Sequence, residues 1–112
     1  MSKITLDELA AQAEALPIEV VRHVLWHSGD IVLGEDGGHF VGALLTTIGR
    51  ADQEGRLKLS LVFPEYVAGY MAARHDKTHD LLRERVKAEV PLAGAVESVR
   101  TFVEAFTKAG AR

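Results

Sequence analysis

The sequence predicts a single all-α domain, a compact bundle of six or seven short helices. Apolar residues recur at helical spacing along most of the chain, and capping residues, prolines and glycines separate these stretches at short intervals. A chain of 112 residues is long enough for one hydrophobic core. Because no internal repeat or long linker divides it, we expect residues 1–112 to form one domain.

The composition excludes several classes of protein. The absence of cysteine rules out disulfides, thiolate zinc sites and a thiol nucleophile. A net charge of −3 argues against a protein that coats DNA or RNA. The N-terminus has no signal-peptide pattern, and no apolar run reaches the roughly 18 residues of a membrane span. We therefore expect a cytoplasmic protein that has no membrane contact.

The first two helices have clear predicted boundaries. Thr5 and Glu8 have the spacing of a capping box, and Ile4 and Leu9 have the spacing of a hydrophobic staple. Apolar residues then recur at helical spacing as far as Pro17. This proline ends the first helix and suits the first turn of the second, because it has no amide hydrogen to lose there.

Residues 29–38 form the one glycine-rich stretch of the chain. Gly29 is the expected C-cap of the second helix. Residues 31–33 are either a short strand or apolar loop residues that pack on the core. From Phe40 to Ile48 the apolar residues occupy one arc of a helical wheel, which predicts an amphipathic helix.

The stretch that follows fits two structures. Residues 56–61 alternate between polar and apolar, as in a strand, and the only available partner for such a strand is 31–33. Asp52, however, is placed to cap a helix, and helices are predicted on both sides. We therefore predict a helix over 53–63, with a short β-pair of 31–33 and 57–61 as the alternative.

The C-terminal third continues the helical pattern. Pro64 suits the first turn of a helix, and a further short helix is predicted over 81–90. After Pro91 comes the clearest apolar stripe in the chain, which stops at Gly110. Because such helices are not stable alone, we expect their apolar faces to pack on a common core. The residues of this stripe are Leu92, Val96, Val99, Phe102, Val103 and Phe106.

Two pairs of histidines are the strongest chemical feature. The pairs His23–His27 and His75–His79 each have a four-residue spacing, and two imidazoles one helical turn apart can chelate a divalent cation. Neither pair contains the glutamate of the HExxH motif. Thr78 is predicted to be an N-cap, which would break the one-turn relation of the second pair. We therefore favour surface or capping histidines, expect no cofactor, and keep a metal-binding protein or hydrolase as an alternative.

Nucleic-acid binding is a second alternative. A helix-turn-helix with Gly49 in its turn would present Arg56 and Lys58, together with Arg50, to a DNA groove. Arg50 falls where that motif requires an apolar residue, and the net charge is unfavourable for unaided DNA binding. We therefore do not expect nucleic acid as the principal partner.

Four residues are predicted to form a protein contact. Trp26, Tyr66 and Tyr70 lie at the edges of their apolar stripes, and Met71 is next to the last of them. Aromatic residues of this kind bury a large area while keeping a polar tip, so they often anchor protein–protein contacts.

A pattern in the middle of the chain carries a family resemblance. It consists of an aromatic-led helix from Phe40, an Arg-Ala-Asp turn at 50–52, and a basic helix that closes on Phe-Pro-Glu at 63–65. In these features residues 39–73, about a third of the chain, resemble small helical proteins of unknown function that actinobacteria and their phages encode. The resemblance implies a helical fold and a phage-type accessory protein that acts on another protein. It adds no catalytic residue.

The functional prediction depends on the absence of any catalytic pattern from the sequence. No spacing among the serines, histidines and acidic residues is typical of a nucleophilic triad or a paired-carboxylate site. We therefore predict a non-enzymatic interaction module that binds another protein or itself, in the latter case as a homodimer.

Overall fold

Seven helices make up the computed structural model, which describes residues 5–110. Within that range no residue lies in a β-strand, and the prediction of an all-α bundle is confirmed. The helices, α1 to α7 in chain order, span Leu6–Ala15, Ile18–His27, Gly38–Arg50, Gln53–Val62, Pro64–Ala73, Asp76–Glu89 and Ala93–Gly110.

The alternative β-pair does not form. Residues 31–33 make a turn, and residues 57–61 lie inside α4. The helix is favoured because Asp52 caps it: its Oδ1 accepts a hydrogen bond from the Gly55 amide at 2.7 Å, and this amide has no partner within the helix. Burial in α4 does not follow the alternation of the sequence, because Leu59 is half-buried on the body whereas Leu57 and Leu61 are exposed.

The predicted start of the first helix is confirmed. Thr5 Oγ1 accepts a hydrogen bond from the Glu8 amide at 3.1 Å, and Glu8 Oε1 accepts one from the Thr5 amide at 2.9 Å. This reciprocal arrangement satisfies two amides that would otherwise lack a partner. The predicted staple between the side chains of Ile4 and Leu9 lies outside the described part of the chain.

Glycine and proline set three further boundaries. Ser28, and not Gly29 as predicted, is the C-cap of α2. Gly29 follows it with a φ of 104°, a left-handed conformation that glycine adopts without steric penalty. Pro64 is the first residue of α5, as predicted. Pro17 differs by one position, because it is the N-cap of α2 and not a residue of its first turn.

A single cluster of buried apolar side chains holds the helices together. The central helix is α5, which contacts α1, α2, α3, α4 and α6, while α2 and α6 also contact each other. Burial of this cluster is the main stabilising contribution to the fold. The buried residues are Ala13, Leu16, Val20, Val21, Val24, Leu25, Leu33, Leu44, Leu45, Ile48, Val67, Ala72, Leu82, Val86 and Ala93.

The connection between α2 and α3 packs directly against α2. Asp30 Oδ1 accepts a hydrogen bond from the Leu33 amide at 2.9 Å, and the Leu33 side chain is fully buried. Arg22 Nε of α2 donates to the Leu33 carbonyl at 3.1 Å. Gly34 lies so close to α2 that a Cβ there would overlap the Trp26 backbone. Val32 and Leu33 are therefore loop residues packed on the core, whereas Ile31 is exposed.

Helix α7 extends away from the body that the other helices form. Among the described helices it contacts α6 alone. The radius of gyration is 15.6 Å, whereas a compact domain of this length has a value of roughly 13 Å. The long axis of the protein measures 53 Å and the other two measure 30 and 25 Å. None of the helices in the described range combines the length and the apolar character that crossing a membrane requires.

Candidate functional site

Tyr66, one of the predicted contact residues, is used for packing inside the domain. Its hydroxyl lies 2.7 Å from His23 Nδ1, and the two rings stack with an interplanar angle of 4°. The pair joins α2 to α5, with the histidine buried and the tyrosine half-buried. Burial, together with the nearby carboxylates of Glu19 and Glu65, raises the pKa of Tyr66 above its usual 10.0.

Replacement of Tyr66 by phenylalanine tests this packing role. We expect the free energy of unfolding to fall by about 1–2 kcal/mol, because the ring stays while a buried imidazole nitrogen loses its partner. Denaturant titration measures the change, and Glu65→Gln, at an exposed neighbour, is expected to leave stability unaltered. A Tyr66→Phe variant as stable as the wild type would show that the hydrogen bond contributes nothing.

Tyr70 is held in a similar way one turn later on α5. Its ring lies 6.3 Å from that of His27. The guanidinium groups of Arg56 and Arg74 lie over the ring at 5.8 and 5.6 Å from its centroid, and Arg74 Nη1 donates to the hydroxyl at 2.8 Å. The matching four-residue spacing of the histidines on α2 and the tyrosines on α5 is the sequence signal that could have predicted these contacts.

Trp26 and Met71 are exposed but border different cavities. Trp26 lies with His27 and Asp36 at a cavity of about 260 Å³. Met71 lies with Leu57 at an apolar groove of about 580 Å³ between α4 and α5. The four predicted contact residues therefore divide between the α2–α5 contact and two separate cavities, and their contact with a partner stays a prediction.

The two histidine pairs have different surroundings. The pair on α2 faces the tyrosines of α5, whereas His75 is the N-cap of α6 and its carbonyl accepts from the His79 amide at 2.7 Å. The predicted N-cap at Thr78 is wrong, because α6 already begins after His75. The buried Thr78 hydroxyl instead donates to the Ala72 carbonyl at 2.6 Å and joins α6 to α5. Within residues 5–110 no group of three or more acidic, histidine or cysteine side chains is arranged to hold a metal ion.

Two of the three basic residues of the DNA-binding alternative have partners within the chain. Arg56 Nε donates to the Ile48 carbonyl at 2.9 Å and so satisfies the C-terminal end of α3. Lys58 Nζ lies 3.6 Å from a carboxylate oxygen of Glu54. Arg50 is exposed in the last turn of α3. Nucleic-acid binding through these three residues stays an alternative prediction.

The largest difference from the sequence prediction concerns the apolar residues of α7. They were expected to pack on the common core, and this expectation is wrong: the exposed fraction ranges from 47% for Val96 to 76% for Leu92. The pattern identifies an apolar face but does not say what covers it, and within residues 5–110 nothing does. We call this surface the α7 stripe; it consists of Leu92, which directly precedes α7, and of Val96, Val99, Phe102, Val103 and Phe106.

Helix α7 is attached to the body through its opposite, polar side. Ala93 is buried, and both carboxylate oxygens of Glu97 accept hydrogen bonds from Arg83 Nη2 of α6, at 2.6 and 2.8 Å. Arg83 Nε also donates to Asp30 Oδ2 at 2.8 Å. Leu92 turns the chain between the helices with a φ of 77°, which costs roughly 1 kcal/mol for a residue other than glycine. These contacts leave the α7 stripe facing away from the body.

The charges in this attachment stabilise one another. Burial alone would raise the pKa of Asp30, but the Leu33 amide and the Arg83 guanidinium outweigh burial and hold that pKa below its usual 3.8. Burial also opposes the charge on Arg83, and its hydrogen bonds to Asp30 and Glu97 raise its pKa nevertheless. The α2–α3 connection, α6 and α7 are therefore joined by one network of paired charges.

The α7 stripe contains no titratable group, so its chemistry is the burial of apolar area. With side-chain areas of roughly 150–200 Å², its six exposed residues present roughly 550–750 Å² to water. The largest apolar patch on a typical monomer is about 300–600 Å², and larger ones are usually binding surfaces. Comparison with protein-family models, curated proteins and solved structures finds no match for this chain, so its function has to be inferred from this surface.

Proposed function

We propose that this chain is a non-enzymatic protein-interaction module whose principal contact surface is the α7 stripe. The observation that supports the proposal is the orientation of α7, which meets α6 through Ala93 and Glu97 and turns its apolar face outward. An amphipathic helix in water gains free energy when its apolar face is covered. A protein partner supplies that cover.

We also propose that the chain acts in the cytoplasm as a phage-type accessory protein. This part of the proposal depends on the resemblance of residues 39–73 to small helical proteins of actinobacteria and their phages. Trp26 and Met71, 38% and 39% exposed, are candidates for additional contacts with the same partner or another one. Tyr66 and Tyr70 support such contacts indirectly, because they hold α2 and α5 together.

Recovery of a partner by an affinity-tagged chain tests the proposal. We expect the tagged wild type to retain a defined polypeptide, which is either another protein or an untagged copy of this chain. Val103→Asp introduces a charge into the α7 stripe and is expected to abolish retention, since a desolvated carboxylate without a partner is unfavourable in an apolar contact.

Thr101→Asp is the matched control, because it introduces the same charge at an exposed position on the polar side of α7. This variant is expected to retain the polypeptide as the wild type does. Circular dichroism checks that both variants keep the helical content of the wild type. Retention that does not depend on Val103, or the absence of any retained polypeptide, contradicts the proposal.

A further inference from the structure

The spacing of the α7 stripe is that of a helix–helix seam. Within α7, successive intervals of three, four and three residues separate Val96, Val99, Val103 and Phe106. This is the a and d pattern by which one helix packs lengthwise against another. In this register two valines, Val96 and Val103, occupy a positions. The occupant that this spacing fits best is another helix.

The charges beside the stripe allow a second copy of α7 to approach. Glu97 is paired with Arg83 of α6, and Arg100 is paired with Glu104 in its own helix at 3.2 Å. Lys108 lies on the polar side, four residues beyond Glu104. Two identical stripes can therefore meet without bringing unpaired like charges together, whereas a strongly charged partner would find no complementary charge on the stripe.

The area is also sufficient for a symmetric pair. In a two-fold contact each copy contributes the same surface, so two α7 stripes that cover each other completely remove at most roughly 1,100–1,500 Å² of apolar surface from water. Stable interfaces bury about 1,200–2,000 Å² in total. A contact in which the two stripes cover each other completely therefore reaches the lower part of that range.

We infer that the partner of the α7 stripe is the same stripe of a second copy of this chain, in a two-fold symmetric dimer. The inference rests on the proposed function and specifies the partner. The polar attachment through Glu97 and Arg83 keeps the body away from the seam. Each α7 then lies between its own α6 on one side and the second α7 on the other.

Light scattering coupled to size-exclusion chromatography, over a dilution series, tests the inference. The chain has a mass of 12.2 kDa. We expect the wild type and Thr101→Asp to give twice that mass, and Val103→Asp to give the mass of one chain with unchanged helical content. A wild type that remains monomeric at every concentration overturns the inference, as does a Val103→Asp variant that remains dimeric.

Cysteine cross-linking supplies an independent measurement, because the natural sequence contains no cysteine. Val99 and Val103 flank the middle of α7, where a residue lies near its symmetry mate whichever way the two helices run. Under mild oxidation we expect a disulfide-linked dimer from Val99→Cys, Val103→Cys or both, and none from Thr101→Cys. Cross-linking through Thr101 alone overturns the inference.

The two proposals can fail separately. If the wild type is monomeric but retains a different polypeptide in a manner that depends on Val103, the inference of a second copy is wrong and the proposed function stands. If the wild type is monomeric and retains nothing, both are wrong.

Discussion

Replacement of Gly34 by alanine is expected to lower the free energy of unfolding by about 3 kcal/mol or more. Gly34 is buried where the α2–α3 connection crosses α2, and a Cβ there would overlap the Asp30 carbonyl oxygen and the backbone of Trp26. These neighbours are backbone atoms, so they cannot move aside by a change of rotamer. The connection would have to lift from α2, and the fully buried Leu33 would lose its packing.

Gly42→Ala is the matched control for this substitution. A Cβ at Gly42, within α3, would meet no atom within 4 Å. Alanine is favoured over glycine in a helix by about 1 kcal/mol, so we expect unchanged or higher stability. Denaturant titration of both variants measures the contrast. If Gly34→Ala is as stable as Gly42→Ala, the backbone of the connection does not lie in direct contact with α2.

Replacement of Arg83 by methionine is expected to cost about 2–3 kcal/mol. Methionine retains the apolar stem but leaves two carboxylates without their partner: the side chain of Asp30 is 10% exposed and that of Glu97 is 17% exposed. Because α7 depends on this contact, its amides are also expected to exchange hydrogen faster. Lys58→Met, which removes an exposed pair, is expected to change stability by less than about 0.5 kcal/mol.

The pH dependence of unfolding gives a second measure of the same network. The pKa of Asp30 in the folded protein lies below its usual 3.8, so the unfolded chain binds this proton more readily. The stability that Asp30 contributes is therefore fully present at a pH above the usual pKa of 3.8. It is lost as the pH falls through the lower pKa of Asp30 in the folded protein. We expect the wild type to lose stability below about pH 4 for this reason, and Arg83→Met to show a smaller loss. If the wild type and Arg83→Met lose equal stability at low pH, Arg83 does not lower the pKa of Asp30.

The helices were predictable because their boundaries depend on local chemistry. The capping box of Thr5 and Glu8, the cap at Asp52 and the proline that starts α5 each involve residues within four positions of one another. The network that attaches α7 could not be predicted in this way. Asp30 and Arg83 lie 53 positions apart, and no periodicity connects them.

The site was predictable only in part, since apolar periodicity has the same form in a core and in an interface. Five residues of the α7 stripe were correctly predicted to lie on one helical face, whereas Leu92 precedes the helix. The sequence does not indicate how that face is oriented relative to the body. Tyr66 illustrates the same limit. An aromatic residue with a polar tip can contact a partner or an internal group, and here the internal group is His23.

The attachment of α7 has a consequence for how the protein can evolve. Ala93 is the only described side chain of α7 in the buried cluster, so the preceding helices contain nearly all of what determines folding. If the α7 stripe is the contact surface proposed above, mutations there alter recognition without a comparable loss of foldability. Under that proposal, a library randomised at this one segment yields variants with new binding specificities on an unchanged body.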